Sequence, residues 1–451
     1  MKFRSYISIG TVMATVGISG CSTTTMDHDI READKKMWDA HKSVDTNVSE
    51  HLPDLKNTGD INSYIEYAAL QNDGLKSSFY QWKASLQKIP QVNSLPDPKF
   101  TYGNFIKEVE TKVGPQQQKF GIAQTFPWFG TLKLKAERAF LMSESMRHMY
   151  DMNKLKLFYD VKEVYYDYYY LGRAQTIIQK NLKLFEEMKI LSITKFDTAT
   201  MKYQNKIKIS IELDRYKERL ESLYDYSKPL NAKFKYTLNG KFDDELPFPQ
   251  KLTVTEQELD KDDVYKLALE NNPMLMKIEQ EIGQADKSIA IAENNYIPTV
   301  TLGLDYVDTA KGKGNPSDNG KDPIMAMVAF NIPINFSRYE AEKREAENKR
   351  EAAELSKKDK RLMIYSQLNS TLFRIRDARR KFVLYRDSLI PKATRSLDVT
   401  KSAYRSGKAD YLDFIDAQQT LLKFELSYEL NLVKYVKAVA KLEEIVGTRL
   451  N

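Results

Sequence analysis

Two stretches of this chain, offset by roughly 200 residues, carry the same structural signals in the same order, and that duplication constrains the fold more than any other feature. Tyr67 to Leu75 (YAALQNDGL) aligns without gaps with Leu267 to Leu275 (LALENNPML), each opening a helix. Phe120 to Pro127 (FGIAQTFP) aligns with Ala326 to Pro333 (AMVAFNIP), and both lead into long, charged, alanine-rich sequence. Phe196 to Ser210 corresponds to Tyr404 to Gln418. Each half therefore reads as helix, strand, strand, long helix, break, helix. The expected domains are a leader at 1–20, an extended polar segment at 21–60, a first repeat at 61–235, a linker at 236–260 and a second repeat at 261–451. The linker is marked by Gly240, Pro247 and Pro249.

The strands show a period of two. Val300, Leu302, Leu304 and Tyr306 share one face, while Thr301, Gly303 and Asp305 share the other. Phe120, Ile122, Gln124 and Phe126 oppose Lys119, Gly121, Ala123 and Thr125, and Ala326, Val328, Phe330 and Ile332 form the matching face in the second half. Phe100 to Val109 is a fourth, weaker candidate. Apolar-outward strands of about ten residues suit a membrane barrel with a wet lumen. Alternation alone fits a soluble sheet with one buried face equally well. The long, polar, glycine-rich connection Thr309 to Asp322 (TAKGKGNPSDNGKD) and the arrival of strands in two pairs favour the barrel. Four strands cannot close on themselves in lipid, where each unpaired backbone group costs several kcal/mol, so such a protomer must oligomerise.

From Thr131 to about Thr194, and from Ser337 to about Ala403, little stops a helix except Pro391. Some 64 residues reach about 95 Å at 1.5 Å per residue, more than a globular domain needs. Apolar residues recur at spacings of three and four, as in Leu155, Phe158, Val161, Tyr165 and Tyr168, or Leu422, Leu426, Leu430, Val433, Val436 and Ala440; these are packing seams. Tyr165, Tyr166, Tyr168, Tyr169 and Tyr170 cover every side of their helix, which fits interhelical packing or the lining of a hydrated passage.

At the N-terminus, Lys2 and Arg4 precede a short apolar stretch from Tyr6 to Ile18, too short to span a bilayer and of the form of a secretory signal. It ends in Ile18-Ser19-Gly20-Cys21, which resembles a bacterial lipobox and implies cleavage before Cys21 and acylation of that residue. Ser22 follows, where inner-membrane lipoproteins carry Asp. Cys21 is the only cysteine, which excludes disulfide scaffolds and thiolate metal sites. A formal charge of +7 comes from 69 basic and 62 acidic residues mixed along helical stretches, without the basic block that nucleic-acid binding requires. His28, His41, His51 and His148 are scattered, and the methionines show no paired ligand spacing. No catalytic residue, cofactor site or metal site is expected.

Gln124-Thr125-Phe126-Pro127-Trp128-Phe129-Gly130 and Tyr404-Arg405-Ser406-Gly407-Lys408-Ala409-Asp410-Tyr411-Leu412-Asp413, followed by Asp416-Ala417-Gln418, resemble the TolC family of outer-membrane efflux channels over nearly the whole mature chain. The resemblance implies a mainly α fold with a membrane β-barrel: a homotrimer whose protomers each give four strands to a twelve-stranded barrel and their helices to a coiled-coil periplasmic tunnel. It implies outer-membrane lipid around the barrel, and a periplasmic adaptor protein and an inner-membrane pump of the resistance-nodulation-division type as partners. Pro127, Trp128, Phe129 and Gly130 take the strand-to-helix turn. Arg405, Ser406, Gly407, Phe196, Ala199 and Asn205 take the adaptor-facing hairpin tips. Tyr404, Asp410, Asp413 and Asp416 are candidates for the periplasmic gate, although each Asp reads equally well as a carboxylate favoured by a helix start. Ala409 and Asn205 depart from the family's gate pattern, and Ala199 stands where the second half has Gly407. The alternative is a periplasmic adaptor lipoprotein, which predicts a single hairpin flanked by a split β domain.

Overall fold

The computed structural model describes residues 53, 55, 60–197, 203–240, 246–252, 254, 260–313, 317–406 and 408–450, without the side chains of 191–206. The leader at 1–20, Cys21, Ala199 and Gly407 lie outside these residues, as do the side chains of Phe196 and Asn205. Helices α1 (Ile61–Gln71), α2 (Asp73–Leu86) and α3 (Lys88–Asn93) lead into strands β1 (Lys99–Val109) and β2 (Gln116–Phe126). The long helices α4 (Thr131–Asp197) and α5 (Tyr203–Leu238) follow. Then come α6 (Lys261–Asn271), α7 (Pro273–Asn294), β3 (Val300–Thr309), β4 (Ile324–Phe330), α8 (Phe336–Leu384), α9 (Ile390–Arg405) and α10 (Tyr411–Val446).

One residue in each half does the same work. Asn72 ends α1 and caps α2, its side chain accepting from Leu75 N at 2.9 Å. Asn272 ends α6 and caps α7, accepting from Met274 N at 2.9 Å, with Pro273 in the first turn where a missing N–H costs nothing. Each amide then reaches a last-turn carbonyl: Asn72 Nδ2 donates to Thr237 O of α5 at 3.4 Å, and Asn272 Nδ2 to Ile445 O of α10 at 2.7 Å. The helices they meet end alike. Asn239 and Gly447 take φ of 53° and 89°, the left-handed conformation that closes a helix. A Cβ on Gly447 would sit 2.2 Å from Asn271 O, so only glycine allows that approach.

The four strands form one antiparallel sheet in the order β1-β2-β3-β4, leaving β1 and β4 as edges. β4 stops at Phe330, two residues before the expected Ile332. The Asn331 carboxamide accepts from Thr299 Oγ1 at 2.6 Å, and Pro333 has no N–H to extend the ladder.

Helix α4 runs 67 residues, about 100 Å. Its counterpart in the second half is not continuous to its end: one π turn, Tyr385–Leu389, separates α8 from α9. The cause is Pro391, which cannot donate to the carbonyl one turn back and whose ring crowds it; widening the turn, so that Ile390 N bonds to Tyr385 O, absorbs the misfit. Three apolar cores lie along the bundle. Tyr64, Tyr168 and Phe234 centre one, Phe382, Tyr435 and Leu442 a second, and Phe185, Tyr216 and Phe414 a third where α4, α5, α9 and α10 meet. Complete burial of one such ring stabilises by about 1.5–3 kcal/mol. No helix among the described residues is long and apolar enough to cross a membrane.

Candidate functional site

The sheet separates two chemistries. Its register aligns side chains in rows, two across all four strands, Tyr102-Phe120-Tyr306-Ile324 and Phe100-Ile122-Leu304-Ala326, and two across β2 to β4, Gln124-Leu302-Val328 and Phe126-Val300-Phe330. This face is apolar and bare, with Phe100 at 68 % and Leu304 at 55 % exposure. The opposite face carries Thr101, Gly121, Ala123, Gly303 and two cross-strand polar links, Lys119 Nζ to Asp305 Oδ2 at 2.8 Å and Thr125 Oγ1 to Thr301 Oγ1 at 2.9 Å. An exposed apolar face this wide, backed by a polar one, is what a lipid-facing barrel wall presents.

At one end of the sheet the loops interlock. Gly320 N donates to Val113 O at 2.6 Å, and the Asp322 carboxylate accepts from Thr309 N at 2.8 Å, so the β1–β2 turn packs against the glycine-rich β3–β4 connection. At the other end, Pro127, Trp128, Phe129 and Gly130 form the turn from β2 into α4. Gly130 has φ +83°, Thr131 N donates to Trp128 O at 3.0 Å, and Phe129 is 88 % exposed. Ile332, Ile334 and Phe336 present a comparable exposed apolar girdle beyond β4.

At the far end of the bundle, α9 closes at Arg405 and α10 opens at Tyr411. Asp410 accepts from Tyr411 N at 2.6 Å, and Asp413 reaches back to Asp410 N at 3.0 Å, a reciprocal cap that engages both carboxylates in starting the helix. Asp416, Arg405 and Ser406 are exposed nearby. Tyr404 is buried instead, its ring 5.6 Å from Tyr411 and 6.3 Å from Phe414, and burial pushes its phenol pKa up. Within the protomer it packs the hairpin core; the Asp side chains are the ones the tip displays.

The tyrosines of α4 fill gaps between elements. Tyr165 lies 5.5 Å from Tyr64 of α1, Tyr168 donates to Leu246 O at 2.6 Å, and Tyr169 donates to Glu429 of α10 at 2.9 Å. The helix is aromatic on many sides because it has neighbours on many sides. Glu429 escaped the sequence reading although it interrupts the apolar seam of α10: it is 3 % exposed and also holds Arg173 Nε at 2.8 Å. Among the described residues no group of three or more His, Cys, Asp or Glu could hold a metal ion.

One chain thus combines a bare apolar sheet face, a polar opposite face and two long helical hairpins. The fold is that of the outer-membrane channels CmeC of Campylobacter jejuni (TM-score 0.70, 12% identity, 87% of this chain and 86% of that one) and VceC of Vibrio cholerae (TM-score 0.70, 13% identity, 87% and 97%). Residues 264–448 match the model of the outer membrane efflux protein family. Nodulation protein T of Rhizobium leguminosarum bv. trifolii is 22% identical over 87% of this chain and 86% of its own length. The cobalt-zinc-cadmium resistance protein CzcC of Cupriavidus metallidurans is 21% identical over 40% of this chain and 41% of its own. The likeness to that family covers 185 of the 451 residues, and the fold is that of outer-membrane channels. The adaptor alternative is not favoured, since two helical hairpins and a four-stranded sheet stand where it predicts one hairpin and a split β domain.

Proposed function

We propose that this chain is the outer-membrane channel of a tripartite efflux system. Three copies close a twelve-stranded barrel, and their helices form a passive conduit across the periplasm. The observation that carries this reading is the sheet with an apolar, exposed outer face and two unpaired edges, which only neighbouring copies can satisfy in lipid. The two halves, 61–235 and 261–451, act as structural repeats joined by 236–260. Acylated Cys21, exposed by removal of 1–20, tethers the chain to the outer membrane through the extended segment 21–60. A periplasmic adaptor docks at the hairpin tips around Phe196 to Asn205 and Tyr404 to Gly407, coupling the conduit to an inner-membrane pump of the resistance-nodulation-division type. Asp410, Asp413 and Asp416 ring the periplasmic entrance; Tyr404 supports them from behind as core. The pump supplies energy and most of the selection of cargo.

The test is the purified protein in detergent. Its light-scattering mass should be three times that of the processed chain, the precursor being 52.2 kDa, and it should conduct ions in a planar bilayer. A stable monomer that passes no current would refute the reading. Radiolabelled palmitate that enters the wild type but not Cys21→Ser tests the anchor.

A further inference from the structure

The polar face of the sheet holds three charges within its paired rows: Lys99 at the end near the turn into α4, and Lys119 and Asp305 further along. Lys119 and Asp305 are diagonal neighbours on adjacent strands and form an ion pair at 2.8 Å. Asp305 is only 7 % exposed although it sits on the face that fronts the bore, because it lies over its cross-strand partner Gly121. A Cβ at position 121 would come within 2.3 Å of Asp305 Oδ1. Gly121 is thus a notch, and its flatness lets the carboxylate lie against the sheet, facing Lys119, rather than stand in the passage. Around the pair are Thr101, Ala123, Gly303, Met325 and Val307, with Lys99 the cross-strand partner of Ala123.

We propose that Asp305 sets the electrical character of the barrel bore: seated on Gly121, it cancels Lys119, so that these two rows carry no net charge and Lys99, one row nearer α4, stands outside the balance. Like the proposed function, on which it rests, this places the polar face toward water. Removing either member converts a neutral belt into a ring of like charges, one per protomer, and such rings govern which ions pass.

The test reads local potential, so that the carboxylates of the hairpin tip do not mask it. A single reporter, Ala123→Cys, shares the polar face and lies about 7 Å along β2 from Gly121. The assembled protein in vesicles, in dilute buffer, is treated with an anionic and a cationic methanethiosulfonate, and the ratio of the two rates is taken; the parent protein, in which lipidation blocks the Cys21 thiol, is the blank. Asp305→Asn is expected to raise the anionic-to-cationic ratio by about fivefold, the size expected for one uncompensated charge at this range. Lys119→Gln is expected to lower it by a similar factor, and the double variant to return it to that of the parent. A ratio unmoved by both single variants overturns the inference. Reaction at Ile122→Cys but not at Ala123→Cys would instead show the faces reversed and overturn the channel reading itself.

Discussion

Leu304→Arg places a guanidinium in the second of four rows on the bare face of the sheet, between Ile122 and Ala326. Consecutive rows lie two residues apart, so the four rows span about 20 Å along the strands, and position 304 falls within about 4 Å of their middle. The exposed apolar residues Ile106 and Ile332 extend the band at either end. If this face meets lipid, Arg near mid-depth costs about 2–4 kcal/mol per copy, hence about 6–12 kcal/mol over three copies. If the face meets water, the same change at a side chain already 55 % exposed stays within about 0.5 kcal/mol. Thr301→Arg, on the opposite face of the same strand, is the control, since a lumen position tolerates charge. The assay is urea-driven unfolding from phospholipid vesicles, followed by tryptophan emission, with the fraction of carbonate-resistant protein in cells as a second readout. A variant that matches Thr301→Arg in both assays would remove the physical basis for a barrel wall.

Three further outcomes follow from other parts of the molecule. Gly447→Ala must adopt φ near +89° and set its Cβ against Asn271 O, so thermal unfolding should show a loss above about 2 kcal/mol, whereas Asn239→Gly at the matching helix end should cost a few tenths. Glu429→Ala strands Arg173 and the Tyr169 hydroxyl at the α4–α10 contact and is expected to destabilise by about 3 kcal/mol in the same assay, with Glu429→Gln retaining part of the loss. Burial raises the Glu163 pKa, but Lys437 and Lys233, each at 3.4 Å, outweigh it and hold the carboxylate below its ordinary 4.5. A carboxylate lowered on folding contributes stability that is complete above pH 4.5 and lost as pH falls through the folded value, so Glu163→Gln should flatten the acid limb of the stability curve and leave the neutral region nearly parallel.

Much of the architecture was legible because both periods survive in the side chains. Leu302, Leu304 and Tyr306 alternate with Thr301, Gly303 and Asp305 since the two faces meet different surroundings, and no tertiary contact overrides that rule. What escaped was information that lies between elements. The Lys119–Asp305 pair depends on the register of β2 against β3, strands 186 positions apart at these residues, and nothing local encodes it. Tyr404 reads as a tip residue by position, yet a stripe of apolar residues does not say which neighbour will cover it; Tyr411 and Phe414 do. Pro391 was visible as a possible break, but its accommodation by one widened turn rather than a helix end reflects packing on both sides, including Phe424 against Tyr385. Glu429 went unmarked within an apolar seam, because its meaning depends on Arg173 and Tyr169 arriving from α4.

The sheet ends in two unsatisfied borders, β1 on one side and β4 on the other. If three copies close one ring, as proposed, each lends its neighbours half of a seam, so one faulty copy spoils the ring it joins. When a defective allele with proline in β4 is expressed at the same level as the normal one, random mixing leaves roughly one ring in eight wholly sound. Inheritance of such a lesion would therefore be dominant, a genetic signature written by the geometry of a strand edge.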